Sequence, residues 1–293
     1  MCRVLALVFA LLLLGGPEAA RAQQGDDQSM LAKVISQVLS SPDGQVRIGA
    51  IEGPLSSDAL IRDIEISDSG GVWLRVDRAR LVWRRTALLL RRLEVDRLEI
   101  GRIEILRKPA PSSRPAEQDN EPLLPELPVK VVVTAFSVGE LALGESLAGT
   151  PARLGITGHL SMGAPAEGLA ATLVARRLDR DGESDLKLHF VPKGETLDVR
   201  VHHSESPGGI VAHLLDIEGR PEVDFDLQGQ GPLDNWLAKL AFSAGDVARG
   251  TGRATLNRQG AARRLDIDLT GQVQGLLPPV AATRPCCGSV GSA

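Results

Sequence analysis

Between residues 131 and 271 the chain repeatedly alternates apolar and polar residues over short runs, breaks at glycine, proline or charge, and alternates again. Leu186, Leu188 and Phe190 alternate with Asp185, Lys187 and His189, and Val223, Phe225 and Leu227 alternate with Asp224 and Asp226. A period of two gives each strand one apolar and one wet face. Many such strands in succession, with almost no helical periodicity between them, predict an all-β, elongated and mainly antiparallel sheet with one long apolar surface. What covers that surface is then the functional question.

Composition excludes several partners. Aromatic residues make up 3% of the chain and tyrosine is absent, and the formal charge is −4. That argues against base-stacking platforms and polyanion binding, so no nucleic acid is expected. The start of the chain reads as an export signal: Arg3 precedes an apolar run over 4–14, Gly15, Gly16 and Pro17 break it, and Ala20-Arg21-Ala22 offers small residues for cleavage. A spanning helix needs about 20 apolar residues, so the run suits either a cleaved signal or a retained signal-anchor. Cys2 lies inside this segment and Cys286 and Cys287 are adjacent, which suits no disulfide framework or zinc spacing.

The expected organisation is a signal or anchor at 1–22, a short amphipathic helix and turn at 23–44, a first β region at 45–108, and a proline-rich acidic linker at 109–128. A long sheet at 129–274 and an irregular tail at 275–293 complete it. In the first β region Val72, Leu74 and Val76 occupy even positions whereas Ala79, Leu81 and Trp83 occupy odd ones. That switch of phase predicts a bulge near Asp77 and Arg78. Leu93-Glu94-Val95, Leu98-Glu99-Ile100 and Ile103-Glu104-Ile105 recur with a five-residue step. A strand bulged at each Asp-Arg or Gly-Arg step explains this better than a pentapeptide solenoid of three units. Residues 72–108 carry eleven basic side chains against five acidic ones. Arg78, Arg80, Arg84, Arg85, Arg91 and Arg92 form a candidate membrane-surface patch; a solvated sheet face is the competing account.

No catalytic motif is present: there is no GxSxG, HExxH or GxxxxGK[ST]. The five histidines are scattered, and His202 and His203 point to opposite faces if their strand is regular, so they cannot chelate one metal. Asp224 and Asp226 share a face but have no nucleophile beside them in the sequence. The expectation is a protein that is not an enzyme, with no metal and no cofactor. Trp73, Trp83 and Trp236 are expected at sheet ends or at a membrane boundary.

Residues 46–109 resemble the amino-terminal region of the TamB family of AsmA-like proteins. The resemblance rests on Gly53 with Leu55, the Asp68-to-Gly71 turn leading to Trp73, Leu81-Val82-Trp83, Leu88-Leu89-Leu90 and the strand ending at Arg107-Lys108-Pro109, with a looser match at 231–236. It implies a sheet folded lengthwise into a trough with a greasy interior, inner-membrane-anchored or soluble in the periplasm of a diderm bacterium. It also implies work with TamA, an Omp85-class barrel, in outer-membrane protein assembly, and movement of phospholipid between membranes. Family members are much longer and end in a domain that meets TamA. A gene fragment, a product frameshifted after about Gln274 and a short paralogue are the open explanations of the difference, and docking to the barrel calls for a full-length form.

Pattern and resemblance meet on one mechanism. Burying an acyl chain gains about 0.8 kcal/mol per CH2, so a continuous apolar groove can carry phospholipid acyl chains or unfolded outer-membrane protein strands. Phe136, Val138, Ile156, Leu173, Leu188, Phe190, Val199, Val201, Phe225, Leu227, Ile267 and Leu269 are the expected lining. The alternatives are a passive exported β-solenoid, β-sandwich or adhesin in which these residues pack on one another, and a periplasmic hydrolase that would need a serine, carboxylate or metal centre.

Overall fold

The computed structural model describes residues 44–54, 57–110, 130–164, 166–260 and 262–272. The expected signal or anchor, the amphipathic helix, most of the linker and the tail lie outside these residues, as does Leu55. Among the described residues, thirteen strands form one open sheet in strict chain order. The first four are β1 (Gln45–Glu52), β2 (Asp58–Asp68), β3 (Gly71–Arg84) and β4 (Arg92–Ile105). A second run begins with β5 (Lys130–Leu143), β6 (Ala152–Met162), β7 (Leu169–Arg177), β8 (Gly182–Val191) and β9 (Thr196–Glu205). It ends with β10 (Val223–Gln230), β11 (Asn235–Ala244), β12 (Ala248–Gln259) and β13 (Ala262–Gln272). Neighbours are antiparallel except β4 and β5, which run parallel, so the two β regions of the sequence form a single continuous sheet.

The predicted switch of phase is one mark of a seam that crosses five strands. On β3 the apolar face passes from Val76 to Ala79, opposite Ile103 and Ile100 of β4. On β2 it passes from Ile64 to Ile61, opposite Ile48 and Ile51 of β1. On β5 it passes from Val138 to Leu141, with a bulge against β6. Asp77 supplies what the interrupted ladder loses: its Oδ1 accepts the Arg102 backbone N–H at 2.6 Å. The seam needs glycine because its strands approach closely. A Cβ on Gly101 would lie 2.7 Å from Asp77 Oδ1, one on Gly139 2.9 Å from the Gly101 carbonyl oxygen, and one on Gly49 2.8 Å from Asp63 Cβ. Asp63 itself takes the left-handed backbone, φ 54°, which short polar residues tolerate better than most. The five-residue step of β4 arises from this seam at Gly101-Arg102, which β3 and β4 cross without a change of register, and from a register shift, Val82/Trp83 against Arg97/Val95, which leaves Asp96 as the extra residue.

On the polar face, charges of alternating sign are stacked across the strands. Arg47 stands opposite Glu65, Glu65 opposite Arg75, and Arg75 opposite Glu104. Exposed pairs of this kind contribute little stability each, but like charges would face one another if the register slipped.

A tighter node closes the β2–β3 turn. Asp68 accepts the Arg107 guanidinium, the Ala110 N–H at 2.6 Å and the Gly70 N–H at 2.7 Å, and Arg107 also donates to the Gly71 carbonyl at 2.7 Å. Arg107 first, then the Ala110 and Gly70 amides, hold the Asp68 carboxyl far below its ordinary range. A depressed carboxyl stabilises the fold above its ordinary pKa and loses that contribution as pH falls. Asp68→Asn is therefore expected to lower the urea midpoint near neutrality, with the gap to the parent narrowing as pH is lowered from about 7 to about 2.

Among the described residues, two short α-helices interrupt the meander at one end of the sheet: α1 (Glu145–Ala148) after β5, and α2 (Ile210–Leu214) after β9. Val211, Ala212 and the following Ile217 pack on Val223, Phe242, Ala244 and Ala248, which lie at that end of the apolar face. Glu205, at the end of β9, caps α2 from a distance: its Oε1 accepts the Ala212 N–H at 2.8 Å and its Oε2 the Val211 N–H at 3.0 Å.

Candidate functional site: an apolar sheet face

Register places all twelve expected lining residues on one face of the sheet. One row runs from Leu98 through Phe136, Gly158, Leu173 and Leu186. It continues through Val201, Leu227, Leu240 and Gly252 to Leu269. The row beside it carries Val138, Ile156, Ala175, Ser184, His203, Phe225 and Phe242. On the other side lie Val133, Leu160, Ala171, Leu188, Val199, Gly229, Ala238, Ala254 and Ile267. Phe190 belongs to a fourth row, between Leu169 and Leu197. At about 4.8 Å per strand, the ten strands of the first row carry this face across roughly 43 Å.

Burial along the face is uneven. Val138 and Phe190 are buried, whereas Phe136, Ile156, Leu173, Leu188, Val199, Val201, Phe225 and Leu227 are only half-buried. On β13, Ile267 and Leu269 are 54% and 49% exposed. The buried clusters join residues of neighbouring strands, such as Leu81, Trp83, Leu93, Val95, Val131 and Val133 on β3 to β5. Among the described residues, single-layer packing leaves the apolar side chains in the middle of the face half-exposed. Trp83 and Trp236 are buried at the end of the sheet opposite α1 and α2. The Trp236 ring stands over Gly229, where any Cβ would collide with it, and its Nε1 donates to the Leu197 carbonyl at 2.9 Å.

The end bearing α1 and α2 is drawn inward. Gly149, beside α1, lies so close to the His213 ring of α2 that a Cβ there would strike it. Their hairpins are four strand positions apart, about 19 Å along a flat sheet.

The basic patch divides into paired and unpaired arginines. Arg80 forms a two-pronged pair with Asp58, at 2.9 and 2.6 Å, and Arg84 bonds Asp96 at 2.9 Å and pairs with Glu94 at 3.2 Å. Arg92 has Glu94 at 3.9 Å. Arg78 sits on the seam, about 20 Å along β3 from Arg84. Arg85 and Arg91 flank the β3–β4 turn, and neither has a carboxylate within ion-pair range among the described residues. Most of the excess charge thus belongs to a solvated, paired sheet face.

One polar constellation invisible in the sequence appears where β8 and β9 align. Ser184 Oγ lies 2.7 Å from His203 Nδ1, and His203 Nε2 lies 3.4 Å from Glu205 Oε2, an ion-pair separation without hydrogen-bond geometry. The order serine, histidine, carboxylate suggests acyl chemistry, but the setting opposes it. Ser184 is in mid-strand, paired on both sides, with no free pair of N–H groups to hold an oxyanion. Glu205 is committed to the two amides of α2. Burial alone would push the Glu205 carboxyl up, but the His203 ring and the Ala212 and Val211 amides more than offset it, leaving the carboxyl below its ordinary value. This depressed carboxyl stabilises the anchored helix above the ordinary carboxyl range and loses the contribution in acid. The hydrogen-exchange protection factor of the Ala212 amide is accordingly expected to drop in Glu205→Ala near neutral pH, and in the parent on acidification.

His202, on the opposite face, lies 3.1 Å from Asp226, which holds its imidazole above the ordinary histidine range. The two histidines thus point to opposite faces, and no group of three metal-ligating side chains occurs among the described residues.

No protein-family model, curated protein or solved structure matches this chain. The site is therefore read from its own geometry, and the continuous apolar face is its largest unexplained feature.

Proposed function

We propose that this chain is a TamB-like periplasmic conduit whose apolar sheet face carries phospholipid acyl chains between membranes and supports outer-membrane protein assembly. The observation that carries the reading is the row from Leu98 to Leu269, apolar or glycine at every strand and half-buried through its middle. Curvature into a trough is supported by the glycine-lined seam, since bulges and glycines are how sheets are bent, and by the meeting of Gly149 with His213. Such a trough shelters a lipid tail from water while the charged ladders of the opposite face stay wet. Transfer needs no reacting group in the chain: each CH2 gains about 0.8 kcal/mol on entry and exchanges along equivalent apolar positions. Unfolded strands of outer-membrane proteins present the same apolar chemistry and are the second class of client, and a TamA-like barrel is the partner of a full-length form. A sealed structural solenoid or adhesin is disfavoured by the single open layer, whose apolar side chains have no second sheet among the described residues to pack against.

Organic extraction of the protein purified from a diderm host, followed by lipid mass spectrometry, tests the reading. Stoichiometric phospholipid is expected; a lipid-free protein that also fails to take up added phospholipid would contradict it.

A further inference from the structure

We propose that the β3–β4 turn is a membrane-docking tip that places Leu89 and Leu90 in an anionic phospholipid leaflet while Arg85 and Arg91 engage headgroup phosphates. A 3-10 turn, Arg85–Leu90, joins the two strands. Its Ala87 is buried and anchors it to the sheet, whereas Leu89 is 87% and Leu90 75% exposed, more than any other large apolar side chain among the described residues. Arg91 then takes the left-handed backbone, φ 55°, and returns the chain to β4. The result is an apolar point collared by guanidinium groups.

Charge selects the occupant. Residues 84–96 hold four arginines against Glu94 and Asp96, and both carboxylates are engaged by Arg84. Arg85 and Arg91 remain to meet external anions. Two leucines on a convex turn bury far less than the roughly 1,200 Å² that a stable protein interface requires, but a leaflet deforms around such a point and adds headgroup attraction to its insertion. The tip lies at the end of the sheet occupied by Trp83, Phe190 and Trp236, away from α1 and α2. Docking would therefore set that mouth of the apolar face on the bilayer. The inference extends the lipid-carrying reading by naming the loading end, and its test is separate.

The test uses the full chain with Cys2, Cys286 and Cys287 replaced by serine and Leu89→Cys carrying an environment-sensitive nitrobenzoxadiazole label. Glu218→Cys, exposed beyond α2, serves as control. With phosphatidylcholine vesicles containing phosphatidylglycerol, the label at 89 is expected to shift blue and resist dithionite, while the label at 218 does neither. At about fivefold in binding per arginine, Arg85→Glu with Arg91→Glu should lower the vesicle affinity of the tip by more than about tenfold, with circular dichroism unchanged. A label at 89 that stays open to dithionite on bound vesicles, an equal response at 218, or no vesicle binding would overturn the proposal. So would shielding of the label by a protein and not by lipid. Loading measured in parallel separates the two ideas: lipid uptake with a wet tip refutes the tip alone, and an inserted tip without uptake refutes the conduit alone.

Discussion

Purified Val201→Asp/Leu227→Asp protein is expected to carry at least about tenfold less phospholipid than the parent. The two residues face each other on β9 and β10 in the middle of the longest apolar row, and both are half-buried. Their substitution leaves the backbone ladder intact and sets two carboxylates where an acyl chain would lie. Burying an unpaired polar group costs on the order of 2–7 kcal/mol, and an ionised one more. Contact with even four methylenes gains only about 3 kcal/mol, so the local balance reverses. Because the positions are open on one side, the carboxylates remain hydrated in the empty protein and the fold should survive. Circular dichroism would establish that, with the urea midpoint lowered but the transition still cooperative, since Leu227 also leans on the Trp236 cluster. The same exchange on the wet face, Lys187→Asp, is expected to leave loading unaltered. Full loading of the double variant would mean that lipid does not travel along this row.

The largest loss of stability is expected from Trp236→Ala, at about 3–5 kcal/mol by the usual cost of truncating a buried aromatic. Trp236 packs with Ala238 and Ala254, and Leu197, Val199, Leu227 and Leu256 lean on the same cluster. Its indole also occupies the space that Gly229 vacates. Removing the ring leaves a hollow that small neighbours cannot fill, and the Leu197 carbonyl loses its donor. Urea unfolding followed by circular dichroism measures the change. A shift below about 1 kcal/mol would place the indole outside the core of this end of the sheet. Gly229→Val should approach the same loss from the opposite direction, by displacing the ring.

The alternation of residues 186–190, 197–201 and 223–227 made the strands and their shared face legible, since a two-residue period leaves only the choice of which face is buried. The change of parity between Val76 and Ala79 was equally readable, but not its form: in place of the expected bulge near Asp77 and Arg78, β3 keeps its register with β2 and β4 across the switch, because those strands change face together. The extension of the switch into a seam across β1 to β5 was not readable either, because register between strands is a long-range property. The parallel joining of β4 to β5 is long-range in the same sense. α2 escaped notice because five residues are too few for a helical period, and its N-terminal support comes from Glu205, four residues before Gly209 and in another element. The meeting of Ser184 with His203 likewise exists only once β8 and β9 are aligned. Leu88-Leu89-Leu90 reads as apolar without indicating a side; the exposure of Leu89 and Leu90 follows from a turn too tight to fold them back.

The direct test of an open hydrocarbon-lined path is photocrosslinking along a single row. Benzoylphenylalanine placed in turn at Leu98, Leu173, Leu227 and Leu269, with Lys187 as the wet-face control, is irradiated in lipid-loaded protein and read by intact mass. A mass increment of one phospholipid at all four row positions and none at Lys187 is the predicted result. Adducts absent from the row, or equally frequent at Lys187, would contradict an apolar face that carries lipid across the sheet.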